Sequence, residues 1–177
     1  METIALAVAA FASTNVDDFF LLTLWFLRRT SLRIVVIGQF IGFTIIVLVS
    51  VVGYFGTTLI PPQYIRWLGF LPMAIGVKQI WAKHSESSEP SDSWWAVAVV
   101  TAAHGADNIA VYIPLFARVT PSGVGIMVMC FYFMLALWVA VTNLSARTFA
   151  QHSGVHRFAH RVSPFVLILI GIIILAG

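Results

Sequence analysis

Thr14-Asn15-Val16-Asp17-Asp18 stands in the middle of an apolar run, residues 4–27, and is answered by His104-Gly105-Ala106-Asp107-Asn108 inside a second run, residues 94–116. The chain has seven acidic residues, and three of them, Asp17, Asp18 and Asp107, fall in these two patches. A carboxylate at the centre of a membrane helix costs about 2.5–3.5 kcal/mol on the insertion scale. Each Leu, Ile, Val or Phe returns only about 0.3–0.6 kcal/mol. Carboxylates kept at such depth read, by default, as an ion or substrate site inside a bilayer.

Composition places the rest of the chain in the same solvent. Of its 177 residues, 60% are hydrophobic and only 10% are charged, against about 25% charged in a soluble domain. The length suits a handful of spans with no separate soluble domain. The net charge of +3 does not point to nucleic acid, because the basic residues are scattered through short loops. The N-terminus does not read as a signal peptide: Glu2 stands where a basic region belongs, and the apolar run continues to Leu27. The single cysteine, Cys130, excludes an internal disulfide and a cysteine-only metal site.

Six apolar segments are read, at about residues 4–27, 34–55, 64–81, 94–116, 123–143 and 162–177. Most reach the ~20 residues that span a bilayer. Trp25, Trp67, Trp81, Trp94 and Trp95 stand near segment ends, where interfacial aromatics belong. Arg28, Arg29, Arg33, Lys78, Lys83, Arg147, Arg157 and Arg161 fall in or beside the first, third and fifth loops, and only Arg66 and Arg118 in the second and fourth. The positive-inside rule then puts the odd loops in the cytoplasm and both termini outside. The Ser-rich, acidic stretch 83–93 is read as a cytoplasmic linker between residues 1–82 and 94–177.

The two halves look related. At an offset of 90 residues, Ala12, Asp17, Phe26, Arg28 and Thr30 recur as Ala102, Asp107, Phe116, Arg118 and Thr120, while Asp18 becomes Asn108. Pro72 and Pro164 each stand early in the third helix of their half. Three helices per half force opposite orientations on the two copies, as in transporters with a midplane site. The expected fold is an all-α membrane protein: six transmembrane helices in two inverted three-helix repeats, with broken first and fourth helices. Chance identity between two hydrophobic helices is the plain alternative.

Asp17 and Asp107 lie midway along their segments, so a pseudo-two-fold axis would bring both to the bilayer centre. Two ionised carboxylates neutralise one divalent cation. Asn15, Asn108, Thr14 and backbone carbonyls add neutral oxygens, a ligand set suited to hard divalent ions. On a regular helix Asp17 and Asp18 project about 100° apart, so both reach one ion only where the helix unwinds. Irregular backbone at this depth is tolerated where it lines a cavity. Pro114, which removes a backbone bond near Ala110, and Gly105 support such a break in the fourth helix. Alternatively, the carboxylates only bridge helices as buried polar glue.

Other residues admit two readings each. His104 precedes Asp107 and Asn108 at a spacing that shares one helix face. It suits metal ligation or proton transfer, or an interhelical hydrogen bond. Cys130, among Met127, Met129 and Met134, offers soft sulfur or ordinary packing. His152, His156 and His160 form a stripe on a helix, either for receiving metal or, beside Arg157 and Arg161, as a basic interfacial segment. Gly38 and Gly42 make a small-xxx-small pattern suited to a neighbouring helix or to a second copy in a homodimer. Packing within the chain is the expected use.

Thr14-Asn15-Val16-Asp17-Asp18, together with Gly105-Ala106-Asp107-Asn108-Ile109 and Tyr112-Ile113-Pro114-Leu115-Phe116, resembles the paired signatures of the cadmium-resistance transporters, a family of the lysine-exporter superfamily. Gly69-Phe70-Leu71-Pro72 through Gly76-Val77-Lys78, and Ser163-Pro164-Phe165 through Gly171-Ile172, are similar as well. The resemblance covers nearly the whole chain. It implies a bacterial inner-membrane exporter of Cd²⁺ or another divalent metal, in a superfamily that also exports amino acids and other cations.

The expected function is therefore metal efflux, with no prosthetic group and no nucleotide-binding motif. Protons are the expected coupling ion, exchanged for metal at Asp17, Asp18 and Asp107. Asp17 and Asp107 are the first expected ligands, then Asp18, Asn15 and Asn108. His104 and Thr14 are expected in proton coupling or as secondary ligands. The oxygen-rich set alone does not separate Cd²⁺ from Zn²⁺ or Mn²⁺. The rivals are an exporter of Mn²⁺ or an amino acid, an intramembrane aspartyl enzyme whose paired carboxylates activate water, and a membrane subunit that transports nothing alone.

Overall fold

The computed structural model describes residues 2–27, 30–59, 61, 64, 66–71, 73, 74, 77, 93–149, 168, 169, 172 and 175. Among them every regular element is helical. The helices are α1 (Glu2–Thr14), α2 (Val16–Leu27), α3 (Leu32–Thr57), α4 (Trp94–His104), α5 (Ala106–Phe116) and α6 (Pro121–Phe149), with a 3₁₀ turn at Arg66–Gly69. The predicted third and sixth segments, the linker at 83–93 and the stripe His152, His156 and His160 fall wholly or mostly outside the described residues.

Leu32–Thr57 and Pro121–Ala146 are each long and apolar enough to cross a membrane, and Trp94–His104 with Ala106–Phe116 makes a third candidate, bent by 59°. Their outward faces suit lipid. Ile37, Ile41, Ile45, Leu48 and Val52 on α3, and Met129, Phe133, Leu137, Val141 and Leu144 on α6, are all exposed at helical spacing. A contiguous apolar face of this kind is a liability in water and ordinary against hydrocarbon.

Packing is reciprocal. The straight α3 lies along the bent pair α4 and α5, and the straight α6 lies along α1 and α2. The two broken helices meet where α1 touches α5. Glycine permits the closest of these approaches. A Cβ on Gly42 would stand 2.6 Å from the Ala98 carbonyl oxygen and 2.7 Å from Thr101 Cβ, and one on Gly38 would meet the Trp94 carbonyl and Val97. The small-xxx-small pattern is thus used inside the chain, against α4.

Two apolar clusters flank a polar layer. One holds Phe11, Phe43, Ile46, Tyr112, Phe116, Met127 and Phe131 among others, and the second holds Leu22, Trp25, Val35, Ala96, Val97 and Val139. Along α3, Gln39 falls between Val35 and Phe43; along the first broken helix, Thr14, Asn15 and Asp18 fall between Phe11 and Leu22. Thr101, Asp107 and Asn108 likewise separate Val97 from Val111, and all seven polar residues are buried. Trp25 belongs to a cluster at 2% exposure, which corrects its assignment to the interface, whereas Trp67, Trp94 and Trp95 are exposed by 53%, 49% and 57%. The reason is that Trp25 packs inward on α2, under α6. Trp81 lies outside the described residues.

A candidate polar site at the two helix breaks

The first break is written into three consecutive polar side chains. Ser13 Oγ donates to the Ala10 carbonyl at 2.9 Å, Thr14 Oγ1 stands 3.0 Å from the same carbonyl, and Asn15 Nδ2 donates to the Phe11 carbonyl at 2.8 Å. Such back-bonding competes with the backbone ladder, and α1 ends at Thr14 with Asn15 as the bend. The second break falls at Gly105, ninety residues on, between α4 and α5. Its φ of −76° suits any residue; a Cβ there would meet the Ile46 side chain, which would have to shift. Pro114 is not the breaker. It lies within α5, near its end, where the missing N–H costs only one backbone bond.

At the meeting of the breaks, Thr14 Oγ1 donates to Asn108 Oδ1 at 2.6 Å, and Asn15 Nδ2 donates to the same oxygen at 3.0 Å. The Tyr112 hydroxyl stands 3.4 Å from both Thr14 Oγ1 and Asn15 Nδ2. The orientation of the Asn15 amide is set by chemistry, since the Phe11 carbonyl can only accept. That leaves Asn15 Oδ1 buried with no hydrogen-bond partner. The Asn15 carbonyl accepts from Trp138 Nε1 at 2.9 Å, which ties the break to α6.

The carboxylates sit in the first turns after the breaks. Asp107 is 7% exposed and its Oδ1 accepts from the Asn108 backbone N–H at 2.9 Å. Asp18 is 4% exposed and its Oδ2 accepts from Gln39 Nε2 at 3.2 Å. Both lie within electrostatic reach of the Tyr112 hydroxyl. Asp17 is in the first turn of α2 by its backbone, and its side chain lies outside the described residues.

The structure therefore brings Thr14, Asn15, Asn108 and Tyr112 into one cluster, with Asp18 and Asp107 beside it. His104 does not share the face of Asp107 and Asn108. The 59° bend at Gly105 intervenes, and the ring is exposed with Nδ1 at 2.8 Å from the Val100 carbonyl. Cys130 and Met134 are half-buried against the larger apolar cluster, of which Met127 is a buried member. Among the described residues, which leave out the Asp17 side chain, no three of His, Cys, Asp and Glu gather as a metal cage.

Sequence reasoning missed Gln39, Thr101 and Trp138, and quoted Tyr112 only as part of a signature. The available signals were composition against context: beyond Arg33 in its first turn, α3 carries one amide side chain, Gln39, and Trp138 is a mid-helix tryptophan far from either end of α6.

Helices that turn apolar faces outward and gather amides, hydroxyls and carboxylates at two breaks define a membrane protein with a buried polar centre. A model of the cadmium resistance transporter family matches residues 11–177, and the chain belongs to that family. Comparison with curated proteins and with solved structures returns no match.

Proposed function

We propose that this chain exports divalent heavy-metal cations, Cd²⁺ foremost, from the bacterial cytoplasm by proton-coupled alternating access, with the ion held between the two helix breaks. The observation that carries the reading is the contact of the breaks themselves. Thr14 and Asn15 bond Asn108 in the middle of otherwise apolar helices, and Asn15 Oδ1 remains a buried acceptor without a donor. Stranding such an acceptor costs about 1–3 kcal/mol, which a cation entering the cluster would recover.

Asp17 and Asp107 are the expected charge-neutralising ligands, with Asp18, Asn15 and Asn108 as further oxygens and Thr14 as a secondary one. The three aspartates would exchange protons for metal during the cycle. His104, exposed beyond the bend, fits proton exchange at the rim better than ligation. Transport rather than aspartyl hydrolysis is favoured by membership of a transporter family.

Two observations support six spans in two inverted repeats, residues 1–82 and 94–177 joined by a cytoplasmic linker. The breaks fall at Asn15 and Gly105, the offset of 90 already visible in the identities. Each straight helix also supports the broken helix of the other half. Both termini would then face outside the inner membrane, and a homodimer would have to use faces other than Gly38 and Gly42.

The test is flux in proteoliposomes under an imposed pH gradient, with Cd²⁺, Zn²⁺, Mn²⁺ and lysine offered separately. Gradient-driven Cd²⁺ movement that a protonophore abolishes is the expected result. Movement of lysine without any metal flux would move the chain to the amino-acid branch of the superfamily.

A further inference from the structure

Asp18 is held from a direction that the helix breaks do not explain. Gln39 on α3 is 2% exposed, and both ends of its amide are engaged. Nε2 donates to Asp18 Oδ2 at 3.2 Å on α2, while Oε1 accepts from Thr101 Oγ1 at 2.7 Å on α4. The amide thus joins an acceptor on one side to a donor on the other: its NH₂ faces the carboxylate oxygen of Asp18 and its oxygen faces the Thr101 hydroxyl. The reach is made possible by Gly38 and Gly42, which let α3 approach the backbone of α4 beside Thr101.

We propose that Gln39 is a positioning residue for the transport site, with Thr101 as its anchor: the amide fixes the rotamer of Asp18 and ties the half-helix after the first break to the half-helix before the second. This rests on the reading of the carboxylates as the metal site. A second observation joins the acid to its amide. At the offset of 90, the counterparts of Asp18 and Gln39 are Asn108 and Met129. Met129 is 75% exposed, while Asn108 takes its bonds from Thr14 and Asn15 instead. Where the second half lacks the acid, it lacks the amide too. The site is thereby asymmetric, with one carboxylate braced from a neighbouring helix.

Hydrogen-bond partners that orient a metal-binding group typically govern about 10–100-fold in metal affinity. The experiment is Cd²⁺ titration of the purified full-length chain by calorimetry, with Cd²⁺-induced change in Tm as the second readout. Gln39→Met keeps length and helix propensity but removes both bonds, and is expected to weaken Cd²⁺ binding about ten-fold or more. Its Cd²⁺-induced rise in Tm should shrink in parallel. Thr101→Val should weaken binding in the same direction, Thr101→Ser should restore it, and the double variant should lose less than the two single losses combined.

A helix brace with no role at the site would lower the Tm of the metal-free protein and leave Cd²⁺ affinity at the wild-type value. That result in either Gln39→Met or Thr101→Val overturns the proposal, and the valine variant decides it if the methionine variant does not fold. Asp107→Asn in the same titration separates the two levels. Wild-type affinity there would remove the carboxylate site altogether. Loss there with unchanged Gln39→Met and Thr101→Val would remove only the positioning role.

Discussion

Thr14 and Asn108 lie 94 residues apart in sequence and meet hydroxyl to amide oxygen at 2.6 Å, each beside a break in an apolar helix. Asn15 Nδ2 donates to the same Asn108 oxygen at 3.0 Å, so two short side chains of the first break meet one of the second. Removing the hydroxyl strands part of a buried acceptor. Thr14→Val is expected to cost about 1–2 kcal/mol, above the average of about 0.6 kcal/mol for interhelical bonds in lipid. Thr14→Ser should restore most of it. Thermal unfolding in a single detergent compares the three.

Glycine substitutions should divide by location. Gly42→Leu drives a side chain into the Ala98 carbonyl and Thr101 and should destabilise by about 1–3 kcal/mol through overpacking. Gly125 on α6 has nothing within 4 Å of an added Cβ. Gly125→Ala should therefore stabilise, by about 0.5–1 kcal/mol through helix propensity. The sign difference is read from Tm.

Trp138 bridges the first break. Its ring lies edge-on to Phe11 at 6.0 Å and to Phe19 at 5.7 Å, while its N–H holds the Asn15 carbonyl. Trp138→Phe keeps an aromatic ring but loses the hydrogen bond and part of the indole's packing, and should cost at least about 0.5–1.5 kcal/mol. Trp138→Ala also loses two aromatic contacts worth about 0.5–1.5 kcal/mol each beyond their area. An equal loss in both variants would mean that the indole N–H carries the whole effect.

How much of this was legible in the sequence depends on what each signal measures. The expected first and fourth segments overlie α1 with α2, to within two residues, and α4 with α5, because apolar runs report burial in lipid directly. The breaks were legible from charge, since Asp17 and Asp18 serve one ion only if the helix opens. Their chemical cause was not. Pro114 reads as a breaker in the sequence, whereas the breaks fall at Asn15, after side-chain back-bonding by Ser13 and Asn15, and at Gly105. His104 was misplaced for the same reason: helical spacing holds only along an unbroken helix. Gln39 and Trp138 were invisible because their partners lie on other helices. Spacing within one helix carries no record of them.

Orientation is open to a labelling experiment. Ser31 precedes α3 and Ser122 lies in the first turn of α6, and both are exposed. In a Cys130→Ala background, Ser122→Cys should react with a membrane-impermeant maleimide on intact cells. Ser31→Cys should react only after permeabilisation. The reverse pattern would invert the proposed topology and place both termini in the cytoplasm.

The central claim is that the carboxylates at the two breaks hold the transported metal. Cd²⁺ efflux from proteoliposomes carrying folded Asp107→Asn or Asp17→Asn protein tests it most directly, with monodispersity and Tm confirming the fold. Loss of at least about 2.7 kcal/mol of binding, roughly a hundred-fold in affinity, with flux falling to the level of empty vesicles, is the predicted result. Wild-type Cd²⁺ flux in either variant would contradict the account.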